Sequence, residues 1–414
     1  MTRRNLRVNG ERLWSRLMEM AEIGATPKGG VCRLTLSDED KQARDLFAAW
    51  CRQAGLTVEV DAMGNMFARR KGRRPGPAVM AGSHLDSQPT GGKFDGALGV
   101  LAALEAIETM NDAGIETEYP IEIVNWTNEE GARFAPAMVS SGVYAGVFPL
   151  ENAYGFTDKR GATLGGELER IGYKGSLPVG GRDWKASFEV HIEQGPILEE
   201  QDLPVGVVTS VQGIRWFDVV ITGDEVHAGP TPMDRRRDPV RGLYTILAGC
   251  YAAAADHGEW MRFTVGDLKV APGSRNTVPG MVTFTVDLRH PQDEMLDSME
   301  QAMRDIAAEA GAQHKVDVKV ERIWKSPPVA FDEGCVNSIR RAAEACGYAT
   351  RDMVSGAGHD AVYVARVTPT AMIFVPSRDG ISHNEAEYSS PEACKAGADV
   401  LLHALLDQAG VADQ

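Results

Sequence analysis

The chain has 414 residues, 43% hydrophobic and 24% charged, proportions that leave ample apolar material for a core and no case for intrinsic disorder. Lys and Arg number 43 against 58 Asp and Glu, a net charge of -15, which argues against a nucleic-acid partner because phosphate binding needs a basic footprint. At roughly 150 residues per domain the length predicts two or three domains. The basic clusters, RRKGRR from Arg69 and the run Arg235–Arg237, are short enough to read as solvated turns. No stretch approaches the roughly 18 apolar residues of a membrane span. The opening MTRRNLRVNGERLW carries charges without the apolar core of a secretion signal behind them. Six cysteines, at 32, 51, 250, 335, 346 and 394, form no CxxC pair, so reduced thiols in a cytoplasmic protein are expected.

In chain order, residues 9–24 place apolar side chains at helical spacing, and Ser37 opens SDED as the N-cap of a helix running to Gly55. LTVEV (56–60) and NMFARR (65–70) read as strands around a turn at Gly64. PAVMAGSH (77–84) and YPIEIVNWT (119–127) are the short apolar runs of buried strands, with a strong helix from Asp95 to Gly114 between them. From about 213 to 325 the rhythm changes. RWFDVVITG is a strand, and Asp238-Pro239 supplies an N-cap and first-turn proline for a helix to about His257. MRFTVGDLKV and MVTFTVDLRH are two strands, a helix covers 292–311, and HKVDVKVERIW is the last strand. This β-α-β-β-α-β order is that of a ferredoxin-like α+β unit. Gly213 and Pro327-Pro328 mark hinges on either side, after which a helix at 335–347, a strand at TAMIFVP and a helix at 391–408 restore the α/β texture. The fold class is therefore α/β, with one domain (1–212 and 326–414) interrupted by an inserted one (213–325). Clefts between such domains favour small-molecule sites.

The polar residues of interest fall where strands give way to loops. His84 ends an apolar strand in SHLDS, and Asp86 two positions on can face the same side and accept the second imidazole N–H, as a metal-ligating histidine requires. Asp95, in GGKFDGALG, reads on its own as a helix N-cap. Glu129 and Glu130 sit at the carboxyl end of the next strand, where open α/β sheets bind ligands, although an acidic pair alone is usually a solvated turn. HIEQGP carries His191, Glu193 and Gln194, and ISHNEAEY carries His383. Histidine nitrogen with carboxylate oxygen, and no cysteine, suits a hydrolytic zinc or manganese site. A bridging carboxylate would explain a set of five ligands, and one carboxylate must stay off the metal to take a proton from water. The pair Glu129 and Glu130 offers one of each.

The segments GSHLDSQPTGGKFDGALGVLAALEA, NEEGARF, VHIEQGP, HAGPTPM, NTVPG, DLRH, SGAGHDA and SHNE together resemble the hydantoinase/carbamoylase amidases, a branch of the di-zinc peptidase and aminoacylase group. The resemblance covers essentially the whole chain, in order. It implies a di-metal exopeptidase-like catalytic domain, a mixed sheet flanked by helices, with an inserted lid and dimerisation domain. By that resemblance His84, Asp95, Glu130, His191 and His383 are the metal ligands, Asp95 bridges two divalent ions (Zn2+ or Mn2+, with Co2+ or Ni2+ also accommodated), and Glu129 is the general base. In the related peptidases the fourth ligand is usually a carboxylate; His191 here points to the carbamoylase branch. Asn276 and Arg289 match a polar clamp for substrate, and a guanidinium in DLRH suits a free carboxylate. His227 resembles a residue that reaches into a partner subunit's site to steady the oxyanion. Gln194 resembles a substrate contact, Gly358 a donor of backbone contacts, and His359 reads equally as structural or functional.

The function expected is metal-dependent hydrolysis of N-carbamoyl-L-amino acids, a small ureido substrate, by a homodimer joined through the inserted domains, with no nucleic-acid or membrane partner. Allantoate and N-carbamoyl-β-alanine are the alternative substrates, differing in pocket shape alone. A non-catalytic protein that keeps the metal cleft for binding is the alternative from another class, and a free carboxylate beside the ligands argues against it.

Overall fold

A computed structural model describes residues 6–412. Within them the chain divides into two compact units, one running to Thr209 and again from Ala330, the other Ser210–Val329. The first begins with α1 (Gly10–Glu22) and α2 (Asp38–Gln53), capped by the side chains of Asn9 and Ser37. β1 (Thr57–Val60) and β2 (Met66–Arg70) pair antiparallel, Val60 opposite Met66. Next come β3 (Ala78–His84), α3 (Ala97–Asp112) and β4 (Ile121–Trp126). Three short helices that the sequence pattern does not announce follow: α4 (Val139–Tyr144), α5 (Leu150–Tyr154) and α6 (Leu164–Arg170). They gather Val139, Leu164 and Leu168 with Phe134 and Met63 into a small core of their own. β5 (Trp184–Ile192), α7 (Ile197–Glu200) and β6 (Val205–Val211) close this stretch.

The second unit contains β7 (Gly213–Thr222), β8 (Val226–His227), α8 (Pro239–Asp256), β9 (Arg262–Thr264), β10 (Leu268–Ala271), β11 (Thr277–Val278), β12 (Met281–His290), α9 (Asp293–His314) and β13 (Asp317–Ser326). Its sheet runs β10-β12-β7-β13 with β9 also on β12, and β8 pairs β11 in a separate ribbon. The stretch MRFTVGDLKV, expected as one strand, is broken: Thr264 pairs Asp287 but Leu268 pairs Phe284. The edge strand thus carries one more residue than its partner over the same span, a β-bulge around Gly266. Buried Phe217, Val219, Ile221, Val282, Phe284 and Val286 alternate along β7 and β12 and pack with Leu243, Ile246, Leu296, Met299 and Met303 of α8 and α9. Gly213 is a paired strand residue opposite His290, and a Cβ there would lie 2.7 Å from Cδ of Pro328.

The chain then adds β14 (Val329–Ala330), α10 (Glu333–Cys346), β15 (Thr350–Ser355), α11 (Ala361–Val364), β16 (Thr370–Val375) and α12 (Pro391–Ala409). The large sheet has nine strands in the order β1-β2-β4-β3-β5-β16-β6-β14, with β15 on β6. Its centre, β4-β3-β5-β16, is parallel, and antiparallel strands flank it. The mixed α/β class expected from the sequence is therefore what the chain adopts. β3, β4 and β16 are buried at every position, as apolar strands covered on both faces should be. α3 and α12 pack on each other and on β5, and α11 rests on β5 and β16. Gly99 and Gly397 let those two long helices approach β5, because a Cβ would stand 2.6 Å from Val190 O and 3.0 Å from Val190 Cγ1 respectively. Among the described residues no helix is long and apolar enough to cross a membrane, and all six cysteines are free thiols.

One buried ion pair links helix, hairpin and site. Arg44 in α2 donates from Nε to Asp40 Oδ2 (2.9 Å), from Nη1 to the Gly64 carbonyl (2.7 Å) and from Nη2 to Thr127 Oγ1 (3.2 Å), and both partners of the pair are fully buried. Thr127 follows β4 and stands two residues before Glu129. Replacing Arg44 by Met keeps the volume but leaves the Asp40 carboxylate buried without its cation. The expected loss is about 3–5 kcal/mol of unfolding free energy, read from urea denaturation; a loss below roughly 1 kcal/mol, the scale of an exposed pair, would contradict this role.

Candidate metal centre

The four parallel strands β4, β3, β5 and β16 point the same way, and the candidate metal ligands cluster beyond their carboxyl ends. His84 is the last residue of β3, and its Nδ1 lies 2.9 Å from the Asp86 main-chain carbonyl. His191, next to last in β5, places Nδ1 2.9 Å from the carbonyl of Ile192. A carbonyl only accepts, so each Nδ1 carries the proton and each Nε2 can turn a lone pair to the site. Both Nε2 atoms face Asp95 Oδ1, at 3.5 Å from His84 and 3.1 Å from His191. The expectation for Asp86 is corrected here. Its carboxylate is 3.7 Å from the His84 ring and instead accepts the main-chain N–H groups of Glu129 (3.2 Å) and Glu130 (3.3 Å). The main chain turns beyond the end of β3, so strict strand alternation does not extend to residue 86.

Asp95 is not a helix cap. The N-cap of α3 is Gly96 at φ +65°, and a Cβ there would lie 2.4 Å from the His84 ring. Glycine lets the helix start lie against the imidazole while the Asp95 carboxylate turns to the histidines. Its second oxygen, Oδ2, is 3.5 Å from His383 Nε2, which is also 3.3 Å from Glu130 Oε2. Asp95 therefore belongs to two groups able to hold a cation, one with His84 and His191 and one with Glu130 and His383. Glu129, also buried, comes within 3.5 Å of His84 Nε2 but is a member of neither group.

The electrostatics are those of excess negative charge. Burial opposes a charged His84, yet Glu129, Asp95 and Asp86 outweigh it and hold that imidazole well above its ordinary pKa. Burial, and then repulsion from Asp95, push Glu130 up to about 8. Burial and the neighbouring Asp360 and Glu130 push Glu129 well above its usual range. Neutral imidazole nitrogens converging with crowded carboxylates are a donor set that fits divalent cations, and the same residues without cations must take up protons.

Gln194, at φ +58°, donates Nε2 to Asp95 Oδ2 (3.0 Å) and Ser382 Oγ (3.1 Å), while its buried Oε1 has no partner. Gly358 packs on Met138, to which a Cβ would approach at 3.1 Å. His359 is buried, its ring edge-on to His191 at 4.5 Å and its Nε2 2.9 Å from Ser355 Oγ. The remaining candidates lie in the second unit. Exposed His227 in β8 stands opposite Thr277, with Nδ1 accepting the Gly229 N–H. The Asn276 carbonyl accepts the N–H of Ala228, which brings Asn276 beside His227. Arg289, on β12, grips Asp287 through Nε (3.1 Å) and Nη2 (2.9 Å).

Sequence reasoning passed over three buried acids beside these ligands. Glu189 accepts the Ser83 hydroxyl at 2.7 Å and with His191 and His359 forms a further potential ligand group. Its position two before His191, on the same face of β5, was a usable signal. Asp360 accepts the Ser141 hydroxyl, and Glu387 accepts the N–H groups of Phe94 and Asp95. Nothing in their local spacing separates those two from surface acids.

Comparison with known proteins shows the family. The signature of peptidase family M20/M25/M40 matches residues 80–407. An N-carbamoyl-L-amino-acid amidohydrolase of Rhizobium meliloti is 50% identical over 410 residues, 99% of each chain. A second, from Geobacillus stearothermophilus, is 43% identical over 96% of this chain and 98% of its own. An allantoate amidohydrolase of Bacillus subtilis is 33% identical over 93% and 94%. A crystal structure of a hydantoinase/carbamoylase family amidase from Burkholderia multivorans superposes with TM-score 0.94 at 56% identity, covering 98% of both chains. The chain thus belongs to peptidase family M20/M25/M40, among the amidohydrolases of its hydantoinase/carbamoylase branch.

Proposed function

We propose that the protein hydrolyses the ureido C–N bond of N-carbamoyl-L-amino acids with two divalent ions per subunit, held by His84, Asp95, Glu130, His191 and His383. The observation that carries this reading is Asp95, shared between two ligand groups, with Glu129 buried beside them and part of neither. The names of the two relatives above 40% identity supply the substrate class.

When bound, the ions polarise the ureido carbonyl and lower the pKa of water toward neutrality. Glu129 accepts the proton of the attacking water, and the new C–O bond forms at the ureido carbon. Glu129 then returns the proton to the amino-acid nitrogen as the C–N bond breaks. The amino acid departs, and the remaining carbamate falls to carbon dioxide and ammonia. Asn276 and Arg289 are assigned to the substrate carboxylate, the guanidinium exchanging Asp287 for it. His227 is assigned to the oxyanion in the site of a partner chain, in a homodimer joined through the second units. Allantoate is the second reading, favoured by the relative that bears that name.

Metal-stripped protein should release no ammonia from N-carbamoyl-L-methionine, and Mn2+ or Zn2+ should restore release. Turnover of allantoate in place of the carbamoyl amino acid would move the substrate while keeping the chemistry, and silence toward both would reject the reading. Glu129→Gln should retain metal and lose roughly 10²–10⁴ in kcat, whereas near-normal turnover would remove it as the base. Mixed dimers of Glu129→Gln and His227→Ala, each inactive alone, should regain activity because one intact site forms; no recovery would reject the shared site. Arg289→Ala should act mainly on KM for the L-carbamoyl substrate, and unchanged kinetics would dissociate it from the carboxylate.

A further inference from the structure

We propose that Glu387 is a positioning residue of the metal centre, clamping the Asp95 main chain to the His383 loop so that Asp95 Oδ2 and His383 can share one ion. The proposal rests on the metal-centre reading above and adds to it a side chain outside the ligand groups.

Glu387 is 5% exposed, and its carboxylate spans two loops. Oε1 accepts the N–H of Phe94 (3.0 Å) and that of Asp95 (3.1 Å). Oε2 lies 3.1 Å from Ser382 Oγ, and that hydroxyl is itself 3.1 Å from Asp95 Oδ2. Ser382, whose one hydroxyl proton serves Glu387 Oε2 or Asp95 Oδ2, thus links the clamp to the Asp95 carboxylate, with Gln194 Nε2 donating to both Ser382 Oγ and Asp95 Oδ2. Ser382 directly precedes His383, and the Glu387 N–H bonds back to the Asn384 carbonyl at 3.0 Å. The tether between clamp and imidazole is thus a single turn.

Two further features show that the approach is built. Gly92 has room for the carboxylate only because it lacks a side chain; a Cβ there would fall 2.0 Å from Glu387 Oε1. Phe94, just before Asp95, stacks on Trp14 at 5.6 Å and meets the edge of Tyr388, the residue after Glu387, at 5.9 Å. The two ends of the clamp therefore share one aromatic cluster. His383 itself is half exposed and at φ +52°, so its own packing fixes it less firmly than β3 and β5 fix His84 and His191. A ligand on a loop needs an outer partner to be held at coordination distance.

The test is direct metal binding by the full-length protein, stripped and titrated with Zn2+ against a chromophoric chelator. Wild type should take two ions. Glu387→Ala should hold one of them roughly 10- to 100-fold more weakly, with the thermal midpoint of the metal-free protein close to wild type. Gly92→Ala, which displaces the same carboxylate by a different route, should reproduce the loss and decides the matter if Glu387→Ala does not fold. Glu387→Gln, which keeps one carbonyl for the two N–H groups, should fall between wild type and Glu387→Ala. Two tight sites in Glu387→Ala or Gly92→Ala, or a lower midpoint of the metal-free variant without change in affinity, overturns the clamp alone. A wild-type protein that binds no Zn2+ overturns the metal centre and the clamp together.

Discussion

One carboxylate must face in two directions at once. Asp95 turns Oδ1 toward His84 and His191 and Oδ2 toward His383, and much of the first unit can be read as the means of holding it there. The histidines it faces through Oδ1 come from adjacent parallel strands, β3 and β5, whose register is fixed by ladder hydrogen bonds. A one-residue slip of either strand would turn its histidine to the other face. α3, buried at every position from Ala97 to Ile107, cannot shift without disturbing the central core, so the glycine-rich turn at its start has little freedom. Rigid elements thus define one side of the site, and loops tied to them define the other.

Charge explains why the arrangement is stable only as a site. Glu129, Glu130, Asp86, Asp95, Asp360 and Glu189 are gathered at the same site, and burial is the largest influence raising most of them. Burying charges of one sign is costly unless cations or protons compensate. Without cations the answer is protons: Nδ1 of each imidazole is already committed to a main-chain carbonyl, and despite burial the surrounding carboxylates hold both rings above their ordinary pKa, so that Nε2 takes up a proton as well. Divalent cations relieve the repulsion while leaving the imidazoles neutral. The same neighbours that raise the histidines therefore favour metal.

The parts legible in the sequence were those with a repeating physical signal. The buried strands β3, β4 and β16 are short, mostly apolar runs, and Ser37 and Asp238 cap helices through their own side chains. His84, Asp95, Glu130, His191 and His383 stand out because they fall in or beside loops next to strands and a helix start, and the family resemblance marks them as one set. Tertiary detail was not legible. Asp86 turns to the main chain of Glu129 and Glu130 because the chain bends after β3, which no periodicity records. The bulge at Gly266 depends on pairing with β12, and α4 to α6 fold around Phe134 and Met63 from elsewhere in the chain. Glu387 is separated by 292 positions from the N–H of Asp95 that it holds, and nothing local to either residue reveals the contact.

The turn carrying Glu129 shows how local strain is contained by these distant contacts. Asn128 sits at φ +61°, a left-handed conformation that costs free energy for a non-glycine residue. Its Nδ2 donates to the carbonyls of Phe134 and Pro136, and Gly131 at φ +64° lets the chain pass against Ala137. Asp86 holds the two glutamate N–H groups from one side. Arg133 anchors the other side through Thr35, Asp158 and Glu167, and Arg44 fixes Thr127 from beneath. A carboxylate proposed to receive and return one proton must keep its position while its charge changes, and a side chain on a mobile loop would instead move with each change of charge. These contacts hold the turn through its main chain and neighbouring side chains and leave the Glu129 carboxylate facing His84, which is what such a role demands.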